Sequence, residues 1–231
     1  MKNRILYSND CGCGKCENPL YKKSVLFVGD SLCEAACELK TEEYKSIAGW
    51  AGRIMKENEM SGLNRSCGGA SMSDCRGKNI VINQLISMTG NEYDYLILEG
   101  GGNDAWDSMP VGDMTEGFDG PFDRNTFAGG FENTIKYAKE NFKNSKFGFI
   151  VTFQMPIAQF GRMSDMSEYF ALSKKICDKW GIPYLDLFFD EKLNKEILKT
   201  HTLEFLPDTV HPNTGGYEIL APIINDWMKT L

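Results

Sequence analysis

Apolar residues in this chain gather in short runs separated by stretches of helical periodicity. Ser24-Val25-Leu26-Phe27-Val28 carries no charge and stops at Gly29-Asp30, the pattern of a strand buried on both faces and ended by a turn. Similar runs predict strands over residues 95–98, 147–151 and 184–188, and a weaker run over 63–67 ends at Gly68-Gly69. Between them, apolar positions recur at helical spacing over 46–59, 80–88, 127–142, 167–180 and 217–228. Pro212 is expected to open that last helix, from about Asn213. Strand and helix therefore alternate, which predicts an α/β fold with an open parallel sheet covered by helices on both faces. Residues 105–125, rich in Gly, Asp and aromatic side chains, follow neither period, and so long an irregular stretch inside a domain is commonly functional or disordered.

In an open parallel sheet, ligands bind where loops converge at the carboxyl ends of the strands. Gly29-Asp30-Ser31, Gly68-Gly69 and Gly101-Gly102-Asn103-Asp104 each follow a predicted strand directly. A serine after a strand end, preceded by glycine, can present its hydroxyl at the sheet rim, although Gly-Asp-Ser is equally an ordinary strand-to-helix turn. Asp208-Thr209-Val210-His211-Pro212 adds a second chemical group. A carboxylate three residues before a histidine can hold Nδ1 through a local turn and leave Nε2 to take a serine proton. Acyl transfer further requires donors where negative charge develops on a carbonyl oxygen. The Asn103 amide and the backbone N–H groups of Ser31 and Gly69 are placed to supply them. Each piece has a plain structural explanation as a turn, cap or loop, but the four together form a constellation those explanations account for poorly.

Composition narrows the reading. With 231 residues, 42% hydrophobic and 25% charged, the chain has the makeup of a globular protein, and it contains no repeat or Pro- or Ser-rich linker. One domain is expected over 21–231, preceded by a Cys-rich extension over 1–20 that carries Cys11, Cys13 and Cys16. Against 32 acidic residues stand 25 basic ones, for a net charge of −7, so nucleic acid and anionic membrane surfaces are poor partners. Neither a signal-peptide core nor an apolar run of about 20 residues is present, which predicts no membrane span, a cytoplasmic location and reduced thiols. Two histidines, His201 and His211, exclude a three-histidine metal centre, and any histidine base must be a single residue. His201 has no acidic partner at a useful spacing. No Gly-x-Gly-x-x-Gly or phosphate-binding loop follows a strand, so no cofactor is expected.

Taken in order, Gly29-Asp30-Ser31-Leu32, Gly69, Gly101-Gly102-Asn103-Asp104 and Asp208-Thr209-Val210-His211-Pro212 resemble the four signature blocks of the SGNH hydrolase superfamily, the GDSL-type esterases and lipases. The resemblance implies a three-layer α/β/α sandwich with a flavodoxin-like, five-stranded parallel sheet. It implies Ser31 as nucleophile, His211 as base and Asp208 as its orienting acid, with the Ser31 and Gly69 N–H groups and the Asn103 side chain as oxyanion hole. Gly69 is preferred over Gly68 because Gly69-Ala70-Ser71 follows the usual Gly-x-Thr/Ser pattern. The function expected is cofactor-independent hydrolysis of a small-molecule ester through an acyl-enzyme, with carbohydrate O-deacetylation among its forms. Trp106, Phe118 and Phe122 are candidate walls of the substrate pocket.

Two further readings compete. The same residues would serve a thioesterase or lysophospholipase. From another class, Cys11, Cys13 and Cys16, with Cys33 or Cys37 as a fourth ligand, would make a metal- or redox-responsive thiol protein. The acidic residues of 105–125 fit no EF-hand spacing.

Overall fold

The computed structural model describes residues 17–36, 38, 48–77, 79–155, 166–195 and 202–231. Five parallel strands form one sheet: β1 (Ser24–Val28), β2 (Ser61–Asn64), β3 (Tyr95–Glu99), β4 (Lys146–Val151) and β5 (Tyr184–Asp186), in the order β2-β1-β3-β4-β5. This is the flavodoxin-like order, and its topological switch point lies between β1 and β3. Val25 pairs with Tyr95 and Val28 with Leu98, while Leu98 in turn pairs with Phe149. The central strands read clearly in the sequence because both their faces are covered, which leaves no position for a charge until the strand ends.

The edge strands deviate from expectation. In place of residues 63–67, β2 occupies Ser61–Asn64, with Leu63 46% exposed. It has a neighbour on one side only, so its own pattern is weak and pairing with β1 sets its register, Ser24 opposite Ser61. Residues 65–67 still follow β1, through Arg65 N–H to Phe27 O at 2.8 Å and Cys67 N–H to Gly29 O at 3.0 Å. The strand β5 stops two residues early because the Asp186 carboxylate accepts the Phe189 N–H at 3.0 Å and turns the chain.

Helices cover both faces. The side chains of Leu26, Val28, Leu96, Leu98, Phe149 and Val151 share one core with α3 (Val81–Ile86), α5 (Phe127–Asn141) and α6 (Met166–Trp180). The alternate residues Val25, Phe27, Tyr95, Ile97 and Ile150 face α2 (Gly49–Glu57) and α9 (Thr214–Met228). This alternation is the period of two that a strand imposes, and each large side chain so buried contributes about 1.5–3 kcal/mol. Short helices α1 (Ser31–Glu34), α4 (Gly102–Trp106), α7 (Glu191–Asn194) and α8 (Thr202–Phe205) punctuate the loops. The predicted start of α2 at residue 46 lies outside the described residues. Among the described residues, no helix is long and apolar enough to cross a membrane.

The irregular stretch is fastened down. Its first two residues belong to α4, and the rest folds back onto α5 and α6 around the buried Glu132. Glu132 Oε2 accepts the Thr115 N–H at 2.8 Å, and Oε1 accepts Lys179 Nζ at 2.5 Å and Trp180 Nε1 at 3.0 Å. Lys179 Nζ also donates to Thr115 O at 2.6 Å and Gly117 O at 2.7 Å. Burial opposes the charge on Glu132, but the Lys179, Thr115 and Trp180 hydrogen bonds outweigh it and hold the carboxyl below the usual range. The stabilisation is therefore present at neutral pH and is lost as the pH falls through that lowered value. Replacing Glu132 by alanine leaves the largely covered Lys179 without its counter-charge and the Trp180 N–H without its acceptor, and denaturant titration should show a loss of about 3 kcal/mol. An unchanged midpoint would contradict the anchoring role.

Candidate active site

The site forms at the switch point, where the loops after β1 and β3 meet the segment before α9. Gly29 is clamped by Gln84, whose Oε1 accepts the Gly29 N–H at 2.9 Å and whose Nε2 donates to Gly29 O at 2.7 Å. Asp30 caps α1, its Oδ1 accepting the Leu32 N–H at 2.9 Å. Ser31 is thus the first helical residue, and its N–H is one of the donors a helix start leaves unpaired.

His211 reaches Ser31 from the opposite end of the sequence. Its Nε2 lies 2.8 Å from Ser31 Oγ and its Nδ1 lies 2.7 Å from Asp208 Oδ2. The other Asp208 oxygen accepts the N–H groups of Val210 at 3.0 Å and His211 at 2.7 Å, so the acid is fixed by the same turn that carries the base. Thr209 takes a left-handed conformation, φ 67°, to close that turn. An ionised carboxylate only accepts, so Nδ1 carries the proton and Nε2 presents its lone pair to the serine hydroxyl. Pro212 is not the first helical residue as expected: Asn213 is the N-cap, accepting the Gly216 N–H at 3.0 Å, and the helix begins at Thr214. The Asn213 side chain supplies the acceptor for the Gly216 N–H, which a proline at the cap position could not do.

The Gly68-Gly69 turn divides its two N–H groups. That of Gly68 is taken by Glu34 Oε2 at 2.8 Å, whereas that of Gly69 has no protein acceptor among the described residues. Gly69 adopts φ 76°, a conformation glycine takes without strain. Asn103 Nδ2 donates to Ala70 O at 2.9 Å and to Asp30 Oδ2 at 3.2 Å, tying the three loops together. Asp104, buried next to it, accepts the N–H groups of Met72 at 2.8 Å and Ser73 at 2.9 Å. Burial raises the Asp104 carboxyl above its usual range, against the pull of those hydrogen bonds and of the Ser73 hydroxyl.

These groups open on a cavity of about 400 Å³ lined by Ser31, Gly69, Asn103 and His211, with Leu32, Ala36, Trp106, Met155 and Val210 as apolar walls. Of the three aromatic residues named from the sequence, Trp106 is on the cavity wall. Phe118 and Phe122 are not: their rings pack on Trp180 at centroid distances of 4.9 and 6.2 Å, and neither lines the cavity. The Glu132 anchor draws the tip of their loop toward α6 and away from the strand ends. His201, Cys11, Cys13, Cys16 and Cys37 lie outside the described residues. Cys33 is buried, and burial, with the neighbouring Glu99 and Asp30 carboxyls, pushes its thiol far above the usual range, away from the thiolate a metal needs.

One group at the site escaped the sequence reading. Glu99, the last residue of β3, is fully buried behind Asp30, and burial together with the Asp30 charge raises its carboxyl well above the usual range. The available signal was a carboxylate directly after the uncharged run Tyr95-Leu96-Ile97-Leu98.

Comparison with known proteins bears on the fold and the family. Solved structures of similar fold include a protein from Lactobacillus plantarum (TM-score 0.74, 17% identity, covering 91% of this chain and 98% of that one). Another is the psychrotrophic esterase EstA from Pseudoalteromonas, inhibited by monoethylphosphonate (TM-score 0.58, 14% identity, 90% and 97%). A third is the acetyl xylan esterase Axe2 from Geobacillus stearothermophilus, in a variant form (TM-score 0.58, 19% identity, 87% and 92%). No curated protein matches the sequence significantly. The sequence profile of the GDSL-like lipase/acylhydrolase family matches residues 27–219, a span that takes in every loop of the site, and the chain belongs to that family of ester-bond hydrolases.

Proposed function

We propose that this protein hydrolyses short-acyl esters of neutral alcohols, acetylated sugars among them, through an acyl-enzyme on Ser31. The observation that carries the reading is the continuous relay Asp208 Oδ2, His211, Ser31 Oγ, with contacts of 2.7 and 2.8 Å, opening on the cavity. In this reading Ser31 Oγ attacks the ester carbonyl as its proton passes to His211 Nε2. The tetrahedral oxyanion is held by the Ser31 and Gly69 N–H groups and by Asn103 Nδ2, which turns one hydrogen from Ala70 O to the oxyanion and keeps the other on Asp30. His211 then gives its proton to the departing alcohol. Water repeats the sequence on the acyl-enzyme, with His211 again as base. Residues 21–231 act as one hydrolase domain in this scheme, and no cofactor enters it.

The cavity supports the substrate class. Its described walls carry no lysine or arginine, and Asp208 and Glu34 lie close by, a setting that favours a neutral substrate over a phosphorylated one. The acetyl xylan esterase among the structural neighbours points the same way. A panel of nitrophenyl esters from acetyl to octanoyl, acetylated sugars and an acetyl thioester tests it. The expected result is a kcat/KM for the short esters at least about tenfold above the octanoyl ester and the thioester. Preference for the long chain or the thioester would replace this reading with a lysophospholipase or a thioesterase.

A further inference from the structure

Behind the candidate nucleophile lies a pair of carboxyl groups that the reaction above does not use. Glu99 and Asp30 are both buried and adjoin one another, the Asp30 N–H donating to Glu99 Oε2 at 3.3 Å. The packing around the pair is tight: a Cβ on Gly29 would sit 2.9 Å from Glu99 Oε2 and 3.0 Å from its carbonyl oxygen. Among the described residues, no lysine or arginine reaches either carboxyl. The titratable groups that face them are the neutral Cys33 thiol and, toward Asp30, His211. Two adjoining buried carboxyls without a cation disfavour double ionisation, which leaves room for one proton on the pair.

Hydrogen bonding decides which oxygen atoms carry the charge. Asp30 accepts twice from fixed donors, the Leu32 N–H at 2.9 Å and Asn103 Nδ2 at 3.2 Å. Glu99 accepts once, at 3.3 Å, and its Oε1 is buried with no donor reaching it. The charge belongs on the partner with more hydrogen-bond donors. We propose that Glu99 is a positioning residue for this site: it keeps one proton, donates it to Asp30, and so maintains Asp30 as the ionised acceptor that holds both the Ser31 turn and the Asn103 amide. Glu99 touches no reacting atom and moves no proton during turnover. The proposal rests on the roles given above to Ser31 and Asn103.

Two variants separate this from a merely structural part. Glu99→Gln keeps a neutral donor of the same shape, whereas Glu99→Leu keeps the volume and removes the donor. Glu99→Gln should retain kcat near that of the native protein. Glu99→Leu should lose about 10–100-fold in kcat with KM little changed, the cost of a small misplacement of reacting groups. The infrared difference between the native protein and Glu99→Gln in mildly alkaline buffer should contain a protonated carboxyl band. A buried acid with a raised pKa favours the folded state at low pH and loses that contribution as the pH rises through the folded value, so Glu99→Gln should lose less stability than the native protein on the alkaline side.

Native kcat in Glu99→Leu, a fall in Glu99→Gln as deep as in Glu99→Leu, or a difference spectrum without the protonated band would overturn the proposal. If Glu99→Leu does not fold, kcat and the infrared difference of Glu99→Gln still decide. Failure of the underlying reading shows itself separately, as native turnover that survives Ser31→Ala.

Discussion

Ser31→Ala is expected to lower kcat by about 10⁴–10⁶-fold on a short-chain nitrophenyl ester while the protein stays folded. The change removes the attacking oxygen and nothing that holds the loop. The turn is capped by Asp30 through the Leu32 N–H, and Gly29 is clamped by Gln84, so neither depends on the serine hydroxyl. Stability should therefore move by no more than about 0.5 kcal/mol. KM should change little, because the walls of the cavity and the donors remain. What activity survives reflects the oxyanion donors acting on water. A residual rate within about tenfold of the native one, in protein free of contaminating esterase, would remove Ser31 from the chemistry.

Asp208→Asn should cost roughly 10³–10⁴-fold in kcat, also with little effect on KM. The amide keeps an acceptor oxygen but adds an NH₂ group. If that group faces His211 Nδ1, the ring must carry its proton on Nε2, where it can no longer accept from Ser31. The two backbone N–H groups that Asp208 Oδ1 now accepts, from Val210 and His211, favour this outcome, because they hold the carbonyl oxygen and turn the NH₂ toward the ring. Asp208 is half exposed, so water screens part of the loss, which sets the lower end of the range. Activity unchanged in Asp208→Asn would mean that His211 is oriented by another group.

What the sequence revealed follows from where burial constrains it. Runs such as 24–28 and 95–98 are legible because a central parallel strand is covered on both faces and tolerates only apolar side chains. The edge strand around Leu63 is covered less and takes its register from β1, a partner that local pattern does not record. The site was legible for a related reason. Turns at strand ends demand glycine and capping side chains at fixed offsets, and Asp208 meets His211 within one local turn, so both leave short-range marks. Distant packing leaves none. Phe118 and Phe122 follow Asn103 in sequence, yet Glu132 and Lys179, contributed by α5 and α6, hold their loop at the C-terminal end of α6. Glu99 stood in plain view, but its meaning depends on Asp30, a contact across 69 residues.

The central claim is that Ser31, activated by His211, forms a covalent bond to the substrate's acyl group. Incubation with an alkyl phosphonate ester that mimics the tetrahedral state, followed by intact-mass and peptide mapping, tests this most directly. The account predicts one adduct per chain, carried on the peptide that contains Ser31 and absent from Ser31→Ala. An active protein that takes up no adduct, or an adduct on another residue with Ser31 unmodified, would contradict it.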